Sequence, residues 1–334
     1  MVLKQKKAKR TEMTLNEFRQ NELPVLMNIF DFASNIPASV YLETTGVKLP
    51  EACYRSSLIS ETRFTSEEYL LNSRRSTIDM GLPIGVFSYA APGVLGSMAQ
   101  RHLKDEEEHE RENNTIALPP YKNINTPLGA VIRSRRSIRE MSGKRMSLQH
   151  LSNILFYANG VTGELELSAE ENNSLSTRSL GSETVNKIRT APSGGGLYPI
   201  YLYILIRNTE KIEDGIYCYL PNTHSLKKIR VFTEDDKETL NSVTQFGTNF
   251  DSEKINVAIF YVYNLYENSR KYSDMGLMFA LIETGQIAQN IHLTCTALNL
   301  PSSDVGGFEK VPCERFLGVD GLSKQIIHLT VVGT

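Results

Sequence analysis

A sheet protein of the α/β or α+β class is what this sequence predicts, on three observations. Four short apolar runs, IYLYILI, GIYCYL, KINVAIFYVYN and QIIHLTVVG, have the β-branched and aromatic content of buried strands. Helical patterns separate them. The stretch from about Asp274 to Asn299, closed by Pro301, is apolar nearly all round (LMFALI, IAQNI, LTCTAL), so it is a helix buried centrally or at a subunit interface.

The bounds are set by 334 residues, 40% hydrophobic and 22% charged, enough to bury a sizeable core. A formal charge of -2 gives no reason to expect nucleic acid. The basic start MVLKQKKAKR is followed by TEMTLNEFRQNE, which has neither the apolar stretch nor the cleavage site of a secretory signal, so a cytoplasmic protein is expected. IGVFSYAAPGVLGSMA (Ile84 to Ala99) falls short of the roughly 20 apolar residues of a membrane span. Cys53, Cys218, Cys295 and Cys313 are scattered, with no CxxC and no Cys/His cluster. Buried thiols are expected, and neither a metal site nor a disulfide framework.

In chain order, residues 11 to 100 mix helical patterns (MTLNEFRQ, LPVLMNIFDFAS) with FTSEEYLLNSRRST. The charge run KDEEEHERENN (Lys104 to Asn114), followed by LPPYKNINTP, marks either a boundary near residues 103 to 126 or a solvated helix end and surface loop. SLQHLSNILFYANG predicts an amphipathic helix with Ser147 as N-cap, Leu151, Ile154, Leu155 and Ala158 on its apolar face, and Gly160 as its end. The polar stretch from Glu164 to Lys187 cannot supply much core and is expected to be a mobile lid or poorly ordered. The strand IYLYILI follows PSGGGLYP; GIYCYL leads into the turn PNTH; KINVAIFYVYN and QIIHLTVVG complete the set.

Three constellations can carry chemistry. RSRRSIRE (Arg133 to Glu140) has four arginines and one nearby carboxylate. It is either a solvated basic surface or a site whose guanidinium forks bind a polyoxyanion, with Ser137 adding a hydroxyl; on a helix or turn Arg135 and Arg139 would share one face. PSGGGLYP is neither a dinucleotide-binding GxGxxG, because the glycines lead into a strand and Pro199 bars a helix, nor a Walker loop, because no GK[ST] follows. It is a tight turn or a length of bare backbone against which a planar ring can lie. In RKYSDMG (Arg270 to Gly276), Lys271 and Tyr272 are either a surface and a core residue or a pair that moves protons from a low-dielectric pocket.

The order RRSxR, PSGGGLYP, GIYCYLPNTHSL, KYxxxG opening ETGQIAQNIHL, then Gly306 and Gly307 resembles the SagB-type azoline dehydrogenases. These are FMN-dependent oxidases of thiazole- and oxazole-modified peptide biosynthesis, within the nitroreductase fold. The resemblance runs from Arg133 to Gly333, reaches weakly to EEYLLNSR (Glu67 to Arg74), and does not place residues 1 to 60. It implies an α+β fold with a central, mostly antiparallel sheet flanked by helices, in an intertwined homodimer. Residues 125–334 would be the FMN-binding oxidase domain and residues 1–110 a mainly helical extension contacting peptide or partner.

The resemblance also implies the site. Arg135, Arg136, Ser137 and Arg139 would meet the phosphate, ribityl and pyrimidine edge of FMN. Pro192, Ser193, Gly194 and Gly195 would lie against the flavin, often from the other protomer, and Gly306 and Gly307 near its redox edge. Gln286 and Asn290 would be polar contacts of the dimer-borne site or satisfied buried amides. Lys271 and Tyr272 would be catalytic, Lys271 as first choice of base because a desolvated lysine can be neutral near pH 7 whereas tyrosine, with a pKa of about 10, stays protonated. The expected reaction is dehydrogenation of a peptide azoline in the making of a bacteriocin, thiopeptide or cytolysin, with oxygen as final acceptor. The expected partners are the precursor peptide and cyclodehydratase subunits. The alternatives are an NAD(P)H-dependent nitroreductase or flavin reductase, and a non-catalytic scaffold subunit of a heterocyclase complex.

Overall fold

The computed structural model describes residues 69–70, 84–86, 94, 101, 104, 106–108, 114–167, 184–233, 236–237 and 251–334. The chain divides into two compact units, Met1–Arg75 and Ser76–Thr334. Most of the expected extension over residues 1–110 lies outside the described residues, as do Cys53 and most of Glu67 to Arg74.

In chain order the described elements are β1 (Thr115–Ala117), α1 (Leu128–Ser134), α2 (Leu148–Asn159), β2 (Val161–Leu167), β3 (Thr184–Arg189), β4 (Ile200–Ile206) and β5 (Gly215–Leu220). They continue with β6 (Ser225–Val231), β7 (Ile255–Asn264), α3 (Leu265–Tyr272), α4 (Met275–Ala297), β8 (Ser302–Asp304), α5 (Lys310–Leu317) and β9 (Lys324–Gly333). Seven strands form one sheet in the order β1-β6-β5-β4-β7-β9-β8, every pairing antiparallel. The sheet begins with β1, ahead of residue 125.

The four apolar runs form strands because both faces of the sheet are covered. Ile200, Leu202, Ile204 and Ile206 of β4 join a core with Leu151, Ile154 and Leu155 of α2 and Ile287 and Ile291 of α4. On the other face, Leu205, Phe260 and Val262 pack with Cys313, Phe316 and Leu317 of α5. A strand buried on both faces cannot alternate with polar residues, so it reads as a continuous apolar run. The ends of α2 are those expected: the Ser147 hydroxyl accepts from His150 N–H at 3.1 Å, and Gly160 N–H returns to Phe156 C=O at 2.7 Å. Helix α4 buries Ala280, Ile287, Ala288 and Ile291 but leaves Leu281 and Ile282 exposed. Cys218, Cys295 and Cys313 are free and buried, and burial pushes each thiol up to about 12. Among the described residues no helix is long and apolar enough to cross a membrane.

The polar stretch Glu164 to Lys187, expected to be a mobile lid or poorly ordered, has strands β2 and β3 at its two ends, paired antiparallel in a separate two-stranded sheet; residues 168–183, the middle of the stretch, lie outside the described residues. The alternation Glu164, Leu165, Glu166, Leu167 is the period-two strand signal that polarity hides. Arg135 and Arg139 do not share a helical face, because α1 stops at Ser134 and Arg135 is extended, at φ -54°, ψ 124°.

Candidate functional site

The three glycines make a bare turn over a lysine. Ser193 is extended, Gly194–Gly196 form one 3-10 turn, and Gly195 and Gly196 both take φ +66°, a left-handed backbone that glycine adopts without strain. Space demands glycine as well. A Cβ on Gly195 would stand 2.4 Å from Tyr272 Oη and 2.8 Å from Lys271 Nζ; one on Gly194 would touch the Phe279 ring at 3.4 Å. The turn is closed by Ser193 Oγ, which accepts from Tyr198 N–H at 2.9 Å. Strand β3 buttresses it: Arg189 N–H donates to Tyr198 Oη at 3.0 Å, and the Arg189 guanidinium lies over the Tyr198 ring at 4.4 Å.

Lys271 and Tyr272 end α3, where Ser273, at φ +50°, breaks the helix before α4 starts. The pair therefore sits at the corner between two helices rather than inside the long one. Asn268 pins this corner, accepting from Tyr263 Oη at 2.8 Å and donating to Gly276 C=O at 2.8 Å, both buried. Tyr272 packs edge-on against Phe279 at 4.9 Å, and Lys271 Nζ lies 5.3 Å from the Tyr272 ring centre. Lys271 is buried, and no carboxylate among the described residues pairs with it. Burial alone pulls its pKa below the usual lysine range and pushes that of Tyr272 up. The lysine is thus biased toward a free amine and the tyrosine toward the phenol.

The arginine run lies elsewhere, beside the sheet edge. Arg136, Ser137 and Arg139 are exposed and Arg135 half-buried. Arg136 donates to the carbonyls of Arg133 and Arg135, and no carboxylate among the described residues pairs with any arginine of the run. Ile138 N–H donates to Ser302 C=O at 2.9 Å, which fastens the run to β8 and so to the Gly306-Gly307 segment that follows. Gly306 is exposed, with open space where a side chain would stand. β8 is itself clamped: Asp304 Oδ1 receives His292 Nε2 at 3.0 Å, His328 Nε2 at 3.1 Å and Thr330 Oγ1 at 2.7 Å, while His292 Nδ1 meets Ser302 Oγ at 2.9 Å. Burial works against ionisation of Asp304, but these hydrogen bonds outweigh it and hold the carboxyl well below the usual range.

The structure thus brings Gly195 together with Lys271 and Tyr272, and ties the arginine run to Ser302 of β8, the strand that precedes Gly306 and Gly307, through Ile138. Among the described residues no hydrogen bond or ion pair of the arginine run reaches the glycine turn. Pro192 is exposed at the mouth of the turn. Gln286 and Asn290 are half-buried on α4, and Asn290 Nδ2 points at Ala158 C=O of α2, 3.5 Å away. Sequence reasoning misses Asn268, Asp304 and Glu283. Asn268 and Asp304 act through their hydrogen bonds and Glu283 is a buried carboxyl on α4, and one sequence offers no signal that separates such residues from ordinary surface polar ones.

Comparison with known proteins adds the following. The nitroreductase family model matches residues 132–334. MJ1384 of Methanocaldococcus jannaschii, named as a nitroreductase, is 30% identical over 193 residues, 58% of this chain and 84% of that protein. The microcin B17-processing protein McbC of Escherichia coli is 29% identical over 139 residues, 40% of this chain but only 49% of McbC. A nitroreductase structure from Ralstonia eutropha shares the fold with a TM-score of 0.50 at 22% identity, covering 66% of this chain and 89% of that one. Neighbours of known structure include proteins crystallised in complex with FMN. With well over half of its length matched by the family model, the chain belongs to the nitroreductase family.

Proposed function

We propose that this chain is an FMN-dependent azoline dehydrogenase that converts peptide thiazolines or oxazolines to thiazoles or oxazoles. One observation carries the reading: a lysine amine that burial drives toward neutrality and a tyrosine hydroxyl converge on the place where Gly195 has no side chain. The similarity to a microcin-processing protein supports peptide chemistry in particular.

The residues present fit FMN. Bare backbone at Gly194–Gly196 admits a flat ring, and the arginines Arg135, Arg136 and Arg139, free of carboxylate partners among the described residues, suit its phosphate together with Ser137. Pro192, Ser193, Gly194 and Gly195 would line the ring, and Gly306 and Gly307 would leave its reacting edge open. FMN, when bound, supplies the acceptor for the hydride that leaves ring Cβ, with oxygen taking the electron pair onward. Lys271 Nζ removes the acidified Cα proton, the electrons of that bond form the Cα=Cβ double bond, and the ring becomes aromatic. Tyr272 keeps its proton, so its hydroxyl orients the substrate or the lysine. Phe279 holds the tyrosine ring edge-on.

Among the described residues no hydrogen bond or ion pair joins the arginine run to the glycine turn, and this reading includes a second copy of the chain that completes the site. Exposed Leu128 and Ile132 of α1 and Leu281 and Ile282 of α4 support such an interface; sedimentation velocity checks it. Residues 1–110 would contact the precursor peptide and cyclodehydratase subunits in the cytoplasm. The test is direct: the purified chain shows a flavin spectrum and removes two hydrogens, about 2 Da, from an azoline peptide. A colourless chain that takes up no FMN sinks the reading. The longer match to MJ1384 favours a second reading, a nicotinamide-dependent nitroreductase, which NADH consumption with a nitroaromatic would reveal.

A further inference from the structure

A cavity of about 370 Å³, the scale of a small-molecule site, opens beyond the end of one strand pairing. The β4–β5 ladder runs from Ile206↔Gly215 only to Tyr203↔Cys218, and past that point Leu202 of β4 and Tyr219 of β5 line the cavity. Tyr201, Tyr203 and Ile229 of its wall pack against the core on the α5 side of the sheet, and none of the residues assigned to the flavin site lines it. Two polar groups of the wall lack partners. Asn159, the last residue of α2, is 1% exposed, and its Oδ1 accepts no hydrogen bond. Arg189, which ends β3, lies with its guanidinium over the Tyr198 ring; its buried Nε donates to nothing, and no ion pair among the described residues includes it.

The carboxyls of the wall are engaged elsewhere. Arg101 Nη2 donates to both oxygens of Glu267 at 2.7 Å, and Glu106 accepts from Asn222 N–H and Nδ2 at 2.8 Å each and from Thr223 N–H at 3.2 Å. Burial pushes Glu106 up to about 7, so part of its charge is withdrawn at neutral pH. Lys324, whose Nζ lies 5.7 Å from the Tyr201 ring centre, likewise has no carboxylate partner among the described residues. A guanidinium with a buried, unpartnered Nε calls for an anionic acceptor, and a buried amide oxygen calls for an N–H or O–H donor. We propose that this cavity binds an N-acylated amino acid by its free carboxylate: Arg189 and Lys324 take the carboxylate, Asn159 Oδ1 accepts the amide N–H, and the side chain lies among Tyr201, Tyr203 and Ile229. A free ammonium would be repelled by Arg189, Lys227 and Lys324, and a phosphate would bring a second negative charge to a wall that already holds Glu106 and Glu267. A free N-acyl amino acid and the C terminus of a peptide present this same chemistry. The assignment stands without the flavin reading.

Calorimetric titration of the full chain with N-acetylphenylalanine, N-acetyltyrosine and N-acetylleucine tests the assignment. At least one of these acids should bind, and its carboxamide, which keeps the N–H and loses the charge, should bind about tenfold more weakly. Arg189→Gln should weaken the acid about tenfold, Asn159→Ala about fivefold and Lys324→Ala about threefold, each in a variant whose circular dichroism matches wild type. Should Arg189→Gln or Asn159→Ala fail to fold, Lys324→Ala and the carboxamide comparison in the wild-type chain decide the same question. Acetyl-Gly-Gly-Phe with a free C terminus separates the two sources: binding tighter than that of N-acetylphenylalanine assigns the cavity to a peptide terminus, and weaker binding assigns it to the free acid. Acids that do not bind at millimolar concentration, a carboxamide that binds as well as its acid, or inorganic phosphate that binds more tightly than every acid overturn the proposal. No arm reads flavin, so a chain that takes up no FMN sinks the flavin reading and leaves these outcomes to decide the cavity.

Discussion

The two halves of the candidate site are built in opposite ways. Around Lys271 everything is interlocked: Gly195 leaves its space to two side-chain tips, Phe279 packs edge-on against Tyr272, and Asn268 bolts α3 to α4. Around Arg135–Arg139 the side chains are mostly exposed, and a single backbone hydrogen bond to Ser302 ties the run to the sheet. Chemistry that needs a displaced proton equilibrium needs a dry, fixed surrounding, because desolvation is what moves the lysine. A phosphate contact needs only charge within reach, and the ligand itself organises the guanidinium groups. One half is preorganised by packing; the other, on the proposed reading, would be completed by the phosphate it binds.

The strongest way to break this contrast is Lys271→Ala. Azole formation should fall about 100-fold or more while FMN affinity stays close to wild type, read by mass loss of an azoline peptide and by fluorescence titration. Unchanged azole yield would hand the chemistry to another base or make the chain a scaffold. Next in size is the pH dependence of folding. The carboxyls of Glu106 and Glu283 have pKa values of about 7 in the folded chain against 4.5 when free, in both cases chiefly through burial. Between those values the folded state holds protons that the unfolded state has released, so stability falls as pH rises from about 4.5 to about 7, by up to about 3 kcal/mol per group. Urea melts across that window should flatten when either residue becomes Gln.

Gly195→Ala should cost about 1–2 kcal/mol for a left-handed residue with a side chain, and more in turnover than in melting temperature. The reason is that Tyr272 Oη and Lys271 Nζ, 2.4 Å and 2.8 Å from the new methyl, must move aside. Arg139→Ala, in the loose half, should leave the melting temperature unchanged and weaken FMN about tenfold, an effect that shrinks with salt. A large stability loss there would show that the run is structural after all.

The residues that announce themselves in the sequence are those with a repeating physical reason. β4, β5, β7 and β9 are legible because strands covered on both faces must be apolar throughout, and α2 because Ser147 and Gly160 sit at its two ends. β1 and β8, three residues each, carry too few positions for any period to show. The hairpin β2–β3 is hidden by Glu164 and Glu166, and the break at Ser273 by a sequence whose helical pattern runs on across it. Of the site, the arginines and glycines stand out by composition. The meeting of Gly195 with Lys271 joins residues far apart in the chain, and only the fold puts them together.

The three buried thiols set a last consequence. With pKa values of about 12 they are almost wholly protonated at neutral pH, and the thiolate is the form that hydrogen peroxide attacks. The same packing that holds the sheet together therefore shelters Cys218, Cys295 and Cys313, and it is what would protect them from peroxide if the chain turns over with oxygen as proposed.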